Sequence, residues 1–370
     1  MSYIRSKFSA IEDNRHPSYI DHKLADVLII IMCSVLSGLD GLAELVVFAQ
    51  NRSEFFKNKF GIEQIPSKPT FSRILNMMDG DEVAKIIIEI MKERAKFIAH
   101  ITNILAVDGK AIRSTSEKGK PNSALQIVTA YLTGSGVVLG QKEVHEKTNE
   151  IPVFQDMLGY LNIKGITVTA DALHCQKVTC SKIIGGGGNY VFGLKENQKL
   201  LHDEVVQFIN NNINTDKIEQ FTTNEKNGGR IERRICYMVK DISWLQEKDK
   251  WAGLKTVFAV RRITTTKHKT TDETNYYIAS LDSTAKDLLR ITREHWKIES
   301  MHWLLDVVFS EDECELLSEN GHKTLNILRK LALLLHRQHI ANQTKKCSIK
   351  SSLLSCLLNE NKLCELLDSL

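Results

Sequence analysis

The sequence predicts an α/β protein: an all-α N-terminal region, then a mixed sheet flanked by helices, with a β-rich insertion before the sheet's last helix. Three observations predict it. Residues 1 to about 97 carry apolar runs that read as helices. From about residue 100, short β-type runs alternate with helical ones in the order strand, two-stranded hairpin, helix, strand, helix, strand. From about 203 to 282 further β-type runs intervene, and a stretch of strong helix formers follows.

With 370 residues the chain can hold two or three domains with sizeable cores. A hydrophobic content of 42% and a charged content of 25% describe an ordinary soluble globular protein. The net charge of +4 is compatible with a nucleic-acid partner and does not demand one. The longest apolar run, Val27 to Leu36, is too short to span a bilayer, and the N-terminus lacks a signal-peptide layout. Eight cysteines without a C-x-x-C pair point to a reduced, cytoplasmic protein.

In the N-terminal region, Leu24 to Leu36 is densely apolar, Leu42 to Phe48 follows a Gly38–Gly41 break, and Glu82 to Ile98 closes the segment. Between them, Ser67 or Lys68-Pro69 opens a helix, with proline in the first turn, where its missing N–H does no harm. Ser67, Lys68, Thr70, Ser72 and Arg73 crowd that helix's start with phosphate-binding groups, which makes Lys68 and Arg73 candidate DNA contacts. The plainer alternative is a capped surface helix in a small bundle.

The α/β part begins with a strand over Ile101 to Val107 that stops at Asp108-Gly109-Lys110. Leu125 to Leu132 and Val137 to Lys142 form a hairpin through Thr133-Gly134-Ser135-Gly136. A helix over Ile151 to Leu161, a strand over Ile166 to Ala170 stopping at Asp171, a helix over Leu173 to Ile184 and a strand over Tyr190 to Leu194 complete the series. This order matches a ribonuclease-H-like layout, by fold-level analogy. Strands then follow at Ile231 to Val239, Thr256 to Ile263 and Asn275 to Ile278, and Arg230, Arg233, Arg234, Arg261 and Arg262 give this insertion a basic face. On the helix spanning Arg293 to Asp306, His295, Glu299, His302 and Asp306 share one polar face. Ile298, Met301, Leu305 and Val308 stripe one side of it, and Trp296 and Trp303 flank the other. An amphipathic helix over Thr324 to Leu335 and a short helical appendage from 341 to 370 end the chain. The domains expected are 1–97, 98–340 with the insertion at about 203–282, and 341–370.

Three carboxylates stand out. Singly each has an ordinary reading: Asp108-Gly109 is a turn dipeptide, Asp171 caps a helix, and Glu299 is a solvated helix residue. In the expected layout both strand ends and the helix face meet at one sheet edge, where three carboxylates repel unless a cation joins them. Hard oxygen ligands suit Mg²⁺ or Mn²⁺, and two such ions about 3.5–4 Å apart catalyse phosphodiester chemistry. The rival is a zinc site from His295, Glu299 and His302, but H-x-x-x-E-x-x-H is not the zincin order. His295 or His302 is better read as contacting phosphate or supporting Glu299.

Val107–Arg113, Thr169–His174, Tyr190–Gln198, Gly229–Arg234 and His295–Asp312 together resemble the DDE transposases of the H-repeat-associated insertion-sequence family. The N-terminal region resembles the helical domain associated with that family, so the likeness covers almost the whole chain. The resemblance implies an RNase H-like core in which Asp108, Asp171 and Glu299 bind the metal ions. It further implies hydrolytic nicking at element ends and attack of the freed 3′ hydroxyl on target DNA. The partners implied are double-stranded DNA, as terminal inverted repeats and target, and a second copy or more of the chain in the synaptic complex, in a bacterial cytoplasm. Where the wider DDE pattern has Arg four residues before the glutamate and Lys seven after it, this chain has His295 and Asp306. Lys195, Asn197 and Gln198, then Lys110 and Arg113, and more weakly Arg230 and Arg233, are candidates for holding the DNA backbone. Two alternatives share the fold: a structure-selective nuclease, and a non-catalytic DNA-binding remnant of a mobile element.

Overall fold

A computed structural model describes residues 2–39, 41–95, 103–116, 123–144, 149–239, 241–316 and 318–370. The expected boundary at 97/98 and the start of the first strand at Ile101 lie outside these residues. The helical region comprises α1 (Ser2–Ser9), α2 (Leu24–Leu36), α3 (Leu42–Asn51), α4 (Ser53–Phe60), α5 (Lys68–Met77) and α6 (Gly80–Ala95). α2 is buried along almost its whole length, as its unbroken apolar sequence requires. Ser67 caps α5 by accepting from the Thr70 N–H at 3.4 Å, and Pro69 occupies the first turn.

The α/β part runs β1 (Ile104–Ile112), β2 (Leu125–Leu132), β3 (Val137–Val144), α7 (Glu150–Met157), β4 (Thr167–Ala170), α8 (Lys177–Gly185), β5 (Asn189–Leu194) and α9 (Lys199–Asn212). Next come β6 (Glu219–Asn227), β7 (Arg230–Val239), β8 (Thr256–Thr265), β9 (Thr270–Ala279), α10 (Ala285–Val307), α11 (Glu319–Ala341), α12 (Ile349–Leu358) and α13 (Glu360–Asp368). The strands form one nine-stranded sheet in the order β3-β2-β1-β4-β5-β9-β8-β7-β6. β1, β4 and β5 are parallel neighbours, while β2 and β3 fold back as the expected hairpin.

Four details differ from expectation. β1 does not stop at Asp108-Gly109 but continues to Ile112, because its pairing with β2 carries on through Asp108↔Thr129, Gly109↔Val128 and Lys110↔Ile127. The insertion opens with an unexpected helix, α9, and β9 joins β5 antiparallel through Val191↔Ala279 to Leu194↔Tyr276, extending the central sheet. Its edge strand β6 (EQFTTNEKN) carries little apolar sequence for a periodicity reading to find.

The fourth concerns α11, which is buried all round rather than amphipathic, lodged between the sheet and the helical region. Several of its polar residues find partners inside the fold. Lys330 Nζ donates to Thr129 Oγ1 and Gln141 Oε1, both at 2.9 Å, and His336 bonds to Leu36 O at 3.0 Å and Ser352 Oγ at 2.8 Å. α12 and α13 pack on α11 and bury Leu353, Cys356, Leu363, Leu366 and Leu367. Arg52 of the helical region donates to the Cys356 carbonyl at 3.3 Å. Among the described residues no helix is long and apolar enough to cross a membrane.

Candidate active site

The parallel ladder between β1 and β4 pairs Ala106 with Thr169. Two residues further on stand Asp108, within β1, and Asp171, just past the end of β4, so the aspartates leave neighbouring strands that run about 4.8 Å apart. Side chains two apart share a face, and that face is covered by α10. Thr169 Oγ1 is hydrogen-bonded to His295 Nδ1 at 3.1 Å, and Asp108 Oδ2 lies 3.4 Å from His302 Nδ1. Glu299 sits on α10 one turn from each histidine and so faces the two aspartates.

A third rung locks this alignment. Lys110 Nζ lies 2.7 Å from Asp306 Oδ1. From His302 to Asp306 a helix advances ~6 Å, and from Asp108 to Lys110 a strand advances ~6.7 Å. The two ladders therefore stay in step. Ile298, Met301 and Leu305 form the buried side of α10, which fixes its roll.

Electrostatics record the convergence. Burial raises the Glu299 carboxyl above its ordinary range, and the negative charges of Asp108 and Asp171 raise it further. Burial lowers His295, the two aspartates partly restore it, and His174 opposes them, so the imidazole is held toward its neutral form. Asp171 also serves as a cap, its Oδ1 accepting from the Leu173 N–H at 3.1 Å. Asp171, His295, Trp296, Glu299, Lys195 and Arg262 line a cavity of about 590 Å³.

The donor set fits a hard divalent cation: carboxylate oxygens from neighbouring strands, with Glu299 raised by two like charges. Among the described residues no three His, Cys, Asp or Glu side chains form a ready-made ion cage. His295 and His302 turn their Nδ1 atoms to Thr169 and Asp108.

The expected DNA contacts divide. Lys195 directly follows β5, is exposed and lines the cavity. Asn197 and Gln198 instead brace the Asp171 turn: Asn197 Nδ2 donates to Ala172 O at 2.7 Å, and Gln198 Nε2 to Cys175 O at 3.1 Å. Lys110 is not available to a backbone phosphate. Its side chain is 11% exposed and engaged by Asp306, Glu311 and Asp312. Arg113 is exposed, its backbone N–H held by Asp312 Oδ1 at 3.0 Å. His302 is buried beside Asp108, and His295, half-buried, is bonded to Thr169 while it lines the cavity. Lys68 and Arg73 are exposed on α5, which packs on α3 and α11.

The insertion's basic face is largely neutralised across its strands. Arg230 pairs with Glu232 at 2.8 Å, Arg261 with Asp272 at 2.5 Å and Arg262 with Glu273 at 2.7 Å, while Arg234 is held by Glu225 and Glu232. Glu225, Asp272 and Glu273 face the arginines from neighbouring strands, and Glu232 lies between Arg230 and Arg234 on their own strand. Arg233 is exposed. Arg262, not singled out from sequence as a site residue, lies over the Trp296 ring at 5.9 Å and forms the cavity's far wall. Only its register opposite Glu273 places it there.

The family described as "Transposase DDE domain" matches residues 100–335, and the family described as "DDE_Tnp_1-associated" matches residues 5–91. The chain is similar to the putative transposase YncI of Escherichia coli O157:H7, 34% identical over 364 residues, covering 95% of this chain and 92% of that one. It is also similar to the H repeat-associated putative transposase YhhI of Escherichia coli K12, 30% identical over 334 residues and covering 88% of each. Among solved structures it resembles a piggyBac transposase synaptic complex with hairpin DNA, with a TM-score of 0.48 and 9% identity, covering 99% of this chain and 79% of that one.

Proposed function

This chain belongs to the DDE transposase family and is a DNA transposase, and from that premise we propose that it nicks DNA at element ends and joins the freed 3′ hydroxyl to target DNA. The family works with divalent metal ions. Here the proposed ligands are Asp108, Asp171 and Glu299, the proposed ions two of Mg²⁺ or Mn²⁺, and the proposed substrates terminal inverted repeats and target duplex, bound by an oligomer. One observation carries this reading: α10 lies over the two strand ends, with His295 bonded to Thr169 and His302 beside Asp108, so that Glu299 between them faces Asp108 and Asp171, residues far away in sequence. Bound ions supply positive charge to the phosphoryl oxygens and ease deprotonation of the attacking hydroxyl.

The chain's own residues do the rest. His302 steadies the Asp108 carboxylate, and the Thr169–His295 bond holds the turn of α10 that precedes Glu299. Asn197 and Gln198 fix the turn that presents Asp171. Lys195 places a cationic group at the cavity, suited to a DNA strand's phosphates, and half-exposed Trp296 gives it a flat wall. The reading contains three domains: the helical segment 1–97 as a DNA-binding unit, the catalytic region 98–340 and the tail 341–370.

The test is strand transfer by purified protein on the DNA flanking its reading frame, with products mapped for 3′-end joining. Asp108→Asn, Asp171→Asn and Glu299→Gln should each lower joining by at least ~10³-fold with duplex affinity within about threefold of the parent. Cleavage without joining by the parent protein identifies a nuclease instead. An Asp171→Asn protein that still joins ends removes the triad.

A further inference from the structure

A fourth carboxylate stands on the sheet face opposite α10. Glu150 opens α7, whose cap Asn149 accepts from the Ile151 N–H at 3.0 Å. Its side chain is 16% exposed and lies flat on the β1 backbone: a methyl group built on Gly109 would stand 2.4 Å from its Cδ and Oε1. No side chain fits there while Glu150 holds this position. Gly109 has no positive φ, so the glycine answers to close approach and not to a turn.

Each carboxylate oxygen has its own neighbour. Gln126 Nε2, on the β2 residue that faces Ala111 across the ladder, donates to Oε1. His174 Nε2 lies 3.4 Å from Oε2. The His174 ring is 1% exposed and packs edge-on against Phe154 of the same helix, with centroids 5.0 Å apart. Gly109 directly follows Asp108, and His174 ends the short turn that Asp171 caps. One half-buried carboxylate thus touches the chain just beyond each aspartate.

We propose that Glu150 is a positioning residue that spans the strand of Asp108 and the turn of Asp171 and sets the separation of the two aspartates. It is not itself a ligand, because Gly109 and Asp108 point to opposite faces of β1. The inference rests on the reading of Asp108 and Asp171 as ion ligands, and the experiment separates the two.

The experiment is calorimetric titration of the full-length protein with Mn²⁺, without DNA. Asp108→Asn comes first: loss of binding supports the ligand reading, and parent-like binding overturns it together with this proposal. Given that loss, Glu150→Ala should weaken Mn²⁺ binding by about 10- to 100-fold with unchanged circular dichroism. Glu150→Gln, which keeps the side chain's length and the bond from Gln126, should recover most of the affinity. Gly109→Ala, which drives the carboxylate off the strand, should weaken binding as Glu150→Ala does, and the double variant should be no worse than either single. Parent-like affinity in Glu150→Ala, or additive losses in the double variant, overturns the proposal. Should Glu150→Ala fail to fold, Gly109→Ala decides alone, and parent-like affinity there overturns it.

Discussion

Side chains near Asp171 separate into those that hold the protein and those that face the cavity. Asn197 is spent on the Ala172 carbonyl, whereas Lys195, two residues earlier, is exposed at the rim. Their alanine variants should therefore fail differently. Lys195→Ala should weaken duplex binding uniformly across sequences and reduce the salt slope by about one. Asn197→Ala should leave affinity and salt slope alone and lower the strand-transfer rate by about 10- to 100-fold. Fluorescence-polarisation titrations over a salt series, run beside a joining assay, check this, and identical salt slopes for parent and Lys195→Ala would count against it. At this scale the sequence showed which residue types could meet phosphate or metal. It did not show which were already engaged. Lys110 looks identical to Lys195 on paper, and only folding reveals Asp306 and Glu311 around the first.

Elements were legible where periodicity was strong and local. The hairpin through 133–136, the strands ending just before Asp171 and Lys195, and the helix bearing Glu299 all follow from patterns within a few residues. β1 was read short because Asp-Gly signals a turn, yet here glycine serves a carboxylate packed on mid-strand. α11 was read as amphipathic because its lysine, arginine and asparagine suggest a wet face. In the fold those groups meet buried partners. Burial holds Glu311 back from ionising, but Arg329 and Lys110 outweigh it and keep the carboxyl at about 2. Lys330 goes the other way: burial drops it to about 7, with Glu311 opposing.

The sign of that second shift predicts a pH effect. An unfolded chain keeps Lys330 protonated up to about 10.5, so between about 7 and 10.5 the unfolded state binds more protons. Stability from this group is thus fully present above about 10.5, declines as pH falls from there, and is gone below about 7. Urea unfolding should show the parent gaining more stability between pH 6.5 and 8.5 than Lys330→Met, by up to ~1 kcal/mol per pH unit. Equal slopes in the two proteins would contradict this placement of Lys330.

For the molecule as a whole, the architecture works by alignment. A parallel ladder brings two aspartates out of neighbouring strands, and a helix running beside β1 delivers a glutamate between them. The strand order continues past β5 into β9, so the insertion forms part of the same rigid sheet, and Arg262 reaches the cavity from it. On the other flank, α11 fills the space between sheet and helical region, and the C-terminal helices cover it. That α10 lies over the strand ends carrying Asp108 and Asp171 could be anticipated from strand ends and a helix face. The latch of Lys110 on Asp306 and the brace of Glu150 could not, because nothing local ties residues so distant in sequence. The most direct test of the whole arrangement is anomalous scattering from crystals grown with Mn²⁺. The account predicts density within about 2.5 Å of oxygens from Asp108, Asp171 and Glu299 together. Mn²⁺ bound elsewhere, or held by only one of the three, would contradict it.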